Sequence, residues 1–595
     1  MMKFRWLSIV IIFVLAVSLL PQAPVVKAAP PTDFDRETPY VPGEVLVVFN
    51  EGQTSTAYAS QASALAGDVN AQVVSRYNNL ALLSFDESAD VPALASQISA
   101  SGKVKYAQPN YLFWLPEADG QLTGSLGSAS AGDYVLVTPA GQTVTFTRDE
   151  LLSMRRYVKS GSRWVQSAAF PNEVTSNMPV AAGFQQINAD VVWNNTAASP
   201  AVCVVDTGVD GSNKDLSGKI TNGYDFVNFD AVPNDDNGHG THVAGIITAK
   251  SNSGSTTPIG VSNGKVVAVK SLHAQGWGTA FEVAAGINFC VDKKGSYNIK
   301  VINLSLASKN PSQVIYDALL RARNANIVIV AAAGNDSSSQ LTYPAAWADA
   351  TVLAPNSQPN AISDVTISVA ASRQDPNPLP VWIDIDNDGA YADNEWFEGS
   401  ECAAPFTNYG RTVTLVAPGS DIYSTTPSAY PFYRNYYEGL PASYGYLSGS
   451  SMAAAFVSGA AARYWSLFNT TYHNFVAAEV KEKLVETGRP LTYAIDPWET
   501  GEAAFDPSKG YNNDGFGEDP DVIPEIGTVV RAPYCWPKTG DDFTDGFGDS
   551  YNLNDFLLSS ADNPFTADQD MSDAVYLDLA AAMERMLVLA GARDA

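Results

Sequence analysis

Two unbroken apolar runs constrain the fold of this chain most strongly: Ala201-Val202-Cys203-Val204-Val205 and Ile327-Val328-Ile329-Val330. A strand with one wet face alternates apolar and polar residues, whereas a continuous Val/Ile run belongs to a parallel sheet covered on both faces. The first run ends in Asp206-Thr207-Gly208-Val209-Asp210 and the second in Ala331-Ala332-Ala333-Gly334-Asn335-Asp336. Open α/β sheets build their sites at the carboxyl ends of such strands. Position alone therefore makes Asp206 a candidate site residue.

Two more segments carry chemistry. In Asn237-Gly238-His239-Gly240-Thr241-His242-Val243-Ala244-Gly245, glycines flank His239 and allow close approach of other backbone before a helix begins. In Gly449-Ser450-Ser451-Met452-Ala453-Ala454-Ala455-Phe456, a small-residue turn feeds a helix and puts Ser451 at its N-terminus, where developing negative charge is favoured. Metal binding by His239 and His242 is disfavoured, because no HExxH frame surrounds them. The order Asp, His, Ser is one of the known orders of a nucleophile triad. With these blocks, residues 184–510 resemble the subtilases, the subtilisin-like serine peptidases. The resemblance implies an α/β, subtilisin-like three-layer fold with a mostly parallel central sheet. It implies that Ser451 attacks the scissile carbonyl, that His239 takes its proton, and that Asp206 orients the imidazole. Asn335 matches the oxyanion-hole asparagine, and Ser305, Leu306 and Ala307 match the substrate-binding strand, with Tyr343-Pro344-Ala345 as pocket wall. The chain departs from the family at Ala455-Phe456 (usually Pro-His), at Ser450 (often Thr) and at Ala307-Ser308 (usually Gly-Gly). Side-chain bulk at Ala307 is expected to narrow the first specificity pocket or shift the substrate backbone. An aromatic stretch before the nucleophile, from Tyr430 to Tyr446, is expected mainly to pack its own loop.

The N-terminus reads as a signal peptide over residues 1–28: Lys3 and Arg5, the apolar run Trp6 to Leu20, then Val26-Lys27-Ala28. Fifteen residues are short of the roughly 20 needed to span a bilayer, so a secreted, extracellular protein with no stable membrane anchor is expected. Residues 39–113 hold strand-like runs at 44–49 and 80–85 and Ala-rich helical stretches near 56–66 and 91–100, which fit a small α+β, ferredoxin-like β-α-β-β-α-β module. Its opening Val41-Pro42-Gly43-Glu44 and closing Tyr106-Ala107-Gln108-Pro109-Asn110-Tyr111 resemble the inhibitory propeptide of subtilases, which implies an intramolecular inhibitor. Residues 117–168 form an inserted segment, read as a hairpin from Tyr134 followed by a basic helix with Arg155, Arg156 and Lys159.

An insert of about 30 residues, 373–403, contains Asp384, Asp386, Asp388, Gly389 and Glu395 in the full D-x-[DN]-x-[DN]-G-x5-E pattern. Hard oxygens at these positions wrap calcium, with the Ala390 carbonyl at the seventh place and Glu395 bidentate at the twelfth. Asp225, Asp230 and Asn234 resemble the calcium loop that precedes the catalytic His in thermophilic-type subtilases. Calcium is thus the expected cofactor, and no organic cofactor is expected. Of the four cysteines, Cys203 and Cys290 read as buried thiols in an apolar strand and helix, and a Cys402–Cys535 bridge would tie tail to core. Residues 511–595 form an acidic extension ending in a helical stretch from Ser572 to Leu589.

The formal charge of −28 argues against nucleic acid as a partner. That charge is local: residues 373–403 hold eight acids and one base, and residues 501–595 nineteen and five. The sequence thus describes a monomeric, calcium-stabilised serine endopeptidase acting on proteins or peptides. The alternative is a catalytically silent calcium-dependent binding or adhesion module on the same fold.

Overall fold

The computed structural model describes residues 39–116, 198–250, 260–374 and 401–490, with short interruptions at 337, 405, 411–412, 421, 428–442, 469–475 and 487, plus a few isolated strand segments. It divides into two compact units, the first ending at Asn110.

The first unit has the expected order: β1 (Tyr40–Val48), α1 (Ser55–Asp68), β2 (Gln72–Tyr77), β3 (Leu80–Ser84), α2 (Val91–Ala100) and β4, which begins at Tyr106. Its strands lie in the order β4-β1-β3-β2. Thr54 caps α1 and Asp90 caps α2, each accepting a backbone N–H three residues on, and Pro92 occupies the first turn of α2. Val45, Val47, Phe49, Ala81 and Leu83 from the central strands pack with Ala62, Leu65, Val91 and Ile98 from the helices. The sequence did not locate β2, a half-exposed edge strand with no strong apolar alternation.

The second unit is built on seven parallel strands: β5 (Ala201–Asp206), β6 (Ile220–Asp225), β7 (Val266–Lys270), β9 (Ile299–Leu304), β10 (Val328–Ala332), β11 (Thr366–Gln374) and β12 (Leu415–Pro418), with the short β8 (Trp277–Thr279) outside this sheet. Their order is β6-β7-β5-β9-β10-β11-β12. Every residue of β5, β7 and β10 is buried, as the unbroken apolar runs require. The chain leaves β5 toward one edge and returns to build from β9 toward the other, so β5 and β9 flank the topological switch point, where a crevice opens beyond the strand ends. Helices α3 (His239–Thr248) and α6 (Ser450–Phe468) pack on one another, as do α4 (Ala280–Asp292) and α5 (Gln313–Asn324). Alanines and glycines on α6 permit close packing; a Cβ at Gly459 would lie 2.7 Å from the Val261 side chain.

Three expectations are corrected. Arg156–Ser160 and Arg163–Ser167 form a second antiparallel hairpin, not a basic helix. Tyr157, Val158, Trp164 and Val165 are β-branched or aromatic and favour strands; Asp133–Val137 and Thr143–Thr147 form the hairpin that was expected. Within the stretch read as a terminal helix, Val575–Tyr576 pair with Leu415–Val416 and Arg489–Pro490, adding to the open sheet edge. Cys203 and Cys290 are joined in a disulfide between β5 and α4; apolar surroundings in sequence did not reveal that β5 and α4 bring their Cα atoms to 6.0 Å. The leader, Cys535 and most of the tail lie outside the described residues.

The bridge closes a separation of 87 residues, which by chain entropy is worth about 4.6 kcal/mol. We expect Cys290→Ser, or reduction of the native protein, to lower the melting temperature by several degrees, measured by calorimetry on a Ser451→Ala background to prevent self-digestion.

Candidate active site

Asp206 ends β5 with no solvent exposure. Its Oδ1 accepts the Thr207 N–H at 2.7 Å, and its two oxygens lie 2.9 and 3.0 Å from Nδ1 of His239, the first residue of α3. A ring nitrogen between two carboxylate oxygens carries the proton, which leaves Nε2 as the basic nitrogen. Nε2 is buried and has no hydrogen-bond partner among the described residues. This approach depends on Gly240: a Cβ there would lie 2.1 Å from the Gly208 carbonyl oxygen and 3.1 Å from Asp206 Oδ1. Gly208 itself adopts φ +104° over the Asn234 carbonyl.

Ser451 lies in the first turn of α6, 1% exposed. Its hydroxyl donates to the Ser305 carbonyl at 3.4 Å, and the Ser305 hydroxyl donates to the Ser451 carbonyl at 2.9 Å. Asn335, just past β10, is oriented by its neighbour: Oδ1 accepts the Ser450 N–H at 2.9 Å, and Nδ2 donates at 2.9 Å to the Pro116 carbonyl. A Cβ at Gly449 would come within 3.0 Å of that Nδ2. Ser450 Oγ accepts the Gly334 N–H at 3.2 Å, so Ser suffices where Thr is usual. Phe456 is fully buried in α6.

The crevice holds a segment of chain. Leu112, Phe113 and Trp114 pair antiparallel with Thr279, Gly278 and Trp277 of β8. On the other side Trp114 and Ala307 exchange two backbone bonds of 2.8 Å. The methyl of Ala307 therefore leaves this ladder intact. Leu306 and Ser305 are fully buried behind it, and Ser308 pairs with Tyr343.

One residue essential to this geometry was missed by sequence reasoning. Asp235, buried, accepts from Thr207 Oγ1 (2.9 Å), Asn237 N (3.0 Å) and Gly238 N (2.7 Å) through Oδ1, and from Thr241 N (2.9 Å) and Oγ1 (2.5 Å) through Oδ2. One carboxylate thus ties the turn after Asp206 to the start of α3. Burial pushes its pKa up, against these hydrogen bonds. Beside it, Lys270 Nζ donates to the Thr207 and Leu272 carbonyls at 2.8 Å and to Asp236 at 2.5 Å. In sequence, Asp235 and Asp236 are indistinguishable from acids of a metal loop.

His242 faces away from Asp206: its Nε2 contacts the carbonyls of Ile422 (2.9 Å) and Gly445 (3.3 Å), on the paired strands Ile422–Thr425 and Tyr444–Leu447. Tyr444 and Tyr446 are buried and packed on Tyr423; the rings from Tyr430 to Tyr437 lie outside the described residues.

The expected calcium ligands are only partly in view. Asp225 is buried, and desolvation raises its pKa. Its oxygens already accept from Val227 N, Asn228 N and Asn228 Nδ2 at 2.8–2.9 Å. Asp230 pairs by backbone with Asp225 and accepts the Val232 N–H at 2.7 Å, while the Asn234 carbonyl backs Gly208. This donor set suits a hard cation only in part, since loop amides already occupy one carboxylate. Among the described residues no group of three or more His, Cys, Asp or Glu is clustered to hold a metal. Asp384, Asp386, Asp388, Ala390 and Glu395 lie outside the described residues, between the paired strands Pro380–Trp382 and Trp396–Glu398.

Comparison with known proteins identifies this architecture. The subtilase family model matches residues 198–515, and that of the fervidolysin N-terminal prodomain matches 27–110. Thermitase from Thermoactinomyces vulgaris is 33% identical over 280 residues, 47% of this chain and 80% of that protein. The thermophilic serine proteinase of Bacillus sp. (strain AK1) is 29% identical over 428 residues, 71% of this chain and 78% of that protein. The crystal structure of fervidolysin from Fervidobacterium pennivorans, a keratinolytic enzyme related to subtilisin, shares the fold with a TM-score of 0.52 at 20% identity, covering 93% of this chain and 62% of that one. The chain belongs to the subtilase family of subtilisin-like serine peptidases, behind a fervidolysin-type prodomain.

Burial, followed by the neighbouring His239, lowers the His242 pKa from 6.5 to about 3. Between those values the unfolded chain binds a proton that the folded chain does not, so stability rises with pH across that window and is lost as pH falls through it. Urea melts of the Ser451→Ala protein from pH 7 to 4 are expected to show this loss, with a shallower slope in a His242→Gln variant.

Proposed function

We propose that this chain is a secreted serine endopeptidase, made as a self-inhibited precursor and stabilised by calcium. The observation that carries the reading is His239: one ring nitrogen held by a desolvated carboxylate, the other buried and without a partner among the described residues, on a helix packed against the one that opens at Ser450 and Ser451. Ser451 attacks a peptide carbonyl while His239 Nε2 accepts its proton, then returns it to the leaving amine; Asp206 holds the ring and stabilises the imidazolium. The Asn335 amide and the Ser451 N–H bind the tetrahedral oxyanion. Asn335 is held by the Ser450 N–H before substrate arrives, so its donor needs no reorientation.

Protein or peptide substrates are taken as an added strand between β8 and Ala307, where main-chain bonds supply affinity independent of side chains. The chain's own residues 112–116 occupy that position, which supports the reading of the preceding module as an intramolecular inhibitor. Secretion rests on the leader, and no helix among the described residues is long and apolar enough to cross a membrane. Calcium is assigned to Asp384, Asp386, Asp388, Ala390 and Glu395, whose oxygens match a wrapped hard-cation site, and to Asp225, Asp230 and Asn234 as a second, weaker site. Its role is to neutralise acids that otherwise repel one another.

A fluorophosphonate probe is expected to label the matured protein and not Ser451→Ala; an unlabelled wild-type protein sinks the peptidase reading. Asn335→Ala should lower turnover by on the order of 10²–10³, read as kcat on a peptide substrate. Chelator is expected to lower the melting temperature by several degrees, and an unchanged melt removes the calcium assignment.

A further inference from the structure

Register in the crevice singles out one peptide bond. Leu112, Phe113 and Trp114 are laddered to β8, Trp114 is also laddered to Ala307, and the Leu115 N–H donates to the Gly276 carbonyl at 2.8 Å. Leu112, Phe113 and Leu115 are buried. Leu115 is seated closely enough that a Cβ at Gly276 would come within 3.0 Å of its Cδ1. At the next residue the pattern changes. Pro116 has no N–H, but its carbonyl oxygen accepts from Asn335 Nδ2 at 2.9 Å, with that amide held in place by the Ser450 N–H beside Ser451. The Ser305 carbonyl takes the Ser451 hydroxyl at 3.4 Å instead, and His239 Nε2 has no partner among the described residues.

We propose that Pro116–Glu117 is the bond cut first in maturation, and that proline at 116 delays this cut. The proposal rests on the peptidase reading above. The Ser451 Oγ–Pro116 carbonyl bond forms as its proton passes to His239, and the Pro116–Glu117 C–N bond breaks as His239 protonates the new amine. Water then attacks the ester, giving its proton to His239; the ester bond breaks, Pro116 leaves with a free carboxylate, and the proton returns to Ser451. The delay has a local cause. While the Ser451 hydroxyl is engaged by Ser305, it is not donating to His239, so the carbonyl is polarised but the nucleophile is not activated. A residue with an N–H at 116 competes for the Ser305 oxygen and frees the hydroxyl for His239.

The test uses the purified full chain, following the mass of the released N-terminal fragment and the N-terminal sequence of the larger product at early times. The expected first products end at Pro116 and begin at Glu117, and Pro116→Ala is expected to process about tenfold faster at the same bond, the worth of roughly one hydrogen bond. A first cut elsewhere in a protein that still labels with fluorophosphonate overturns the proposal and leaves the peptidase reading standing. An equal or slower rate for Pro116→Ala overturns the delay. A wild-type protein that neither cuts nor labels removes both. Should Pro116→Ala misfold, peptides spanning residues 111–122, with Pro or Ala at 116, offered to the matured enzyme give the same two readouts.

Discussion

The desolvated carboxylate of Asp206 is the constraint on which the rest of this site depends. A charge with no solvent contact near the middle of a seven-strand sheet is costly unless neighbouring groups replace the lost water. Thr207 N–H and His239 Nδ1 do so directly. They reach it only because Gly240 has no side chain, since a Cβ would collide with the Gly208 carbonyl. Asp235 then fastens the turn carrying Thr207 to the turn opening α3, and Lys270 fastens that same turn from below through the Thr207 carbonyl. The imidazole is thus one part of a rigid hydrogen-bonded block, and its second nitrogen has a single direction in which to act.

The Ser451 side is organised differently. Ser451 has few polar partners; its place comes from α6, a helix buried from Met452 to Trp465 whose small residues pack it against the sheet and against α3. The link between the halves runs through Ser450 and Asn335. One side-chain amide binds the helix start with its oxygen and the occupied crevice with its nitrogen. The Cys203–Cys290 bridge adds a covalent tie three residues before Asp206, anchoring β5 to α4.

Much of this was legible in the chain because the relevant signals are local. Continuous Val/Ile runs reveal doubly buried strands, and the small or polar residues after them mark strand ends. Glycines around His239 announce a close approach. Signals that depend on a partner distant in sequence were silent or misleading. Asp235 was assigned no role in the sequence, yet its oxygens accept from Thr207, Asn237, Gly238 and Thr241. Cys203 and Cys290 looked like core thiols, and the Arg156 segment, read as a basic helix, pairs as a strand with Arg163–Ser167.

By itself, then, the sequence determined the order of the blocks and the elements that carry them, because periodicity and turn chemistry act over a few residues; Asp206, His239, Asn335 and Ser451 were singled out through their resemblance to the subtilase pattern. Only the tertiary structure decided which hydrogen bonds those side chains make, that Asp235 and Lys270 brace them, which cysteines meet, and which bond of the chain lies at Asn335. Those facts depend on distances between segments up to two hundred residues apart. Such distances follow from strand order and helix packing, which no local pattern encodes.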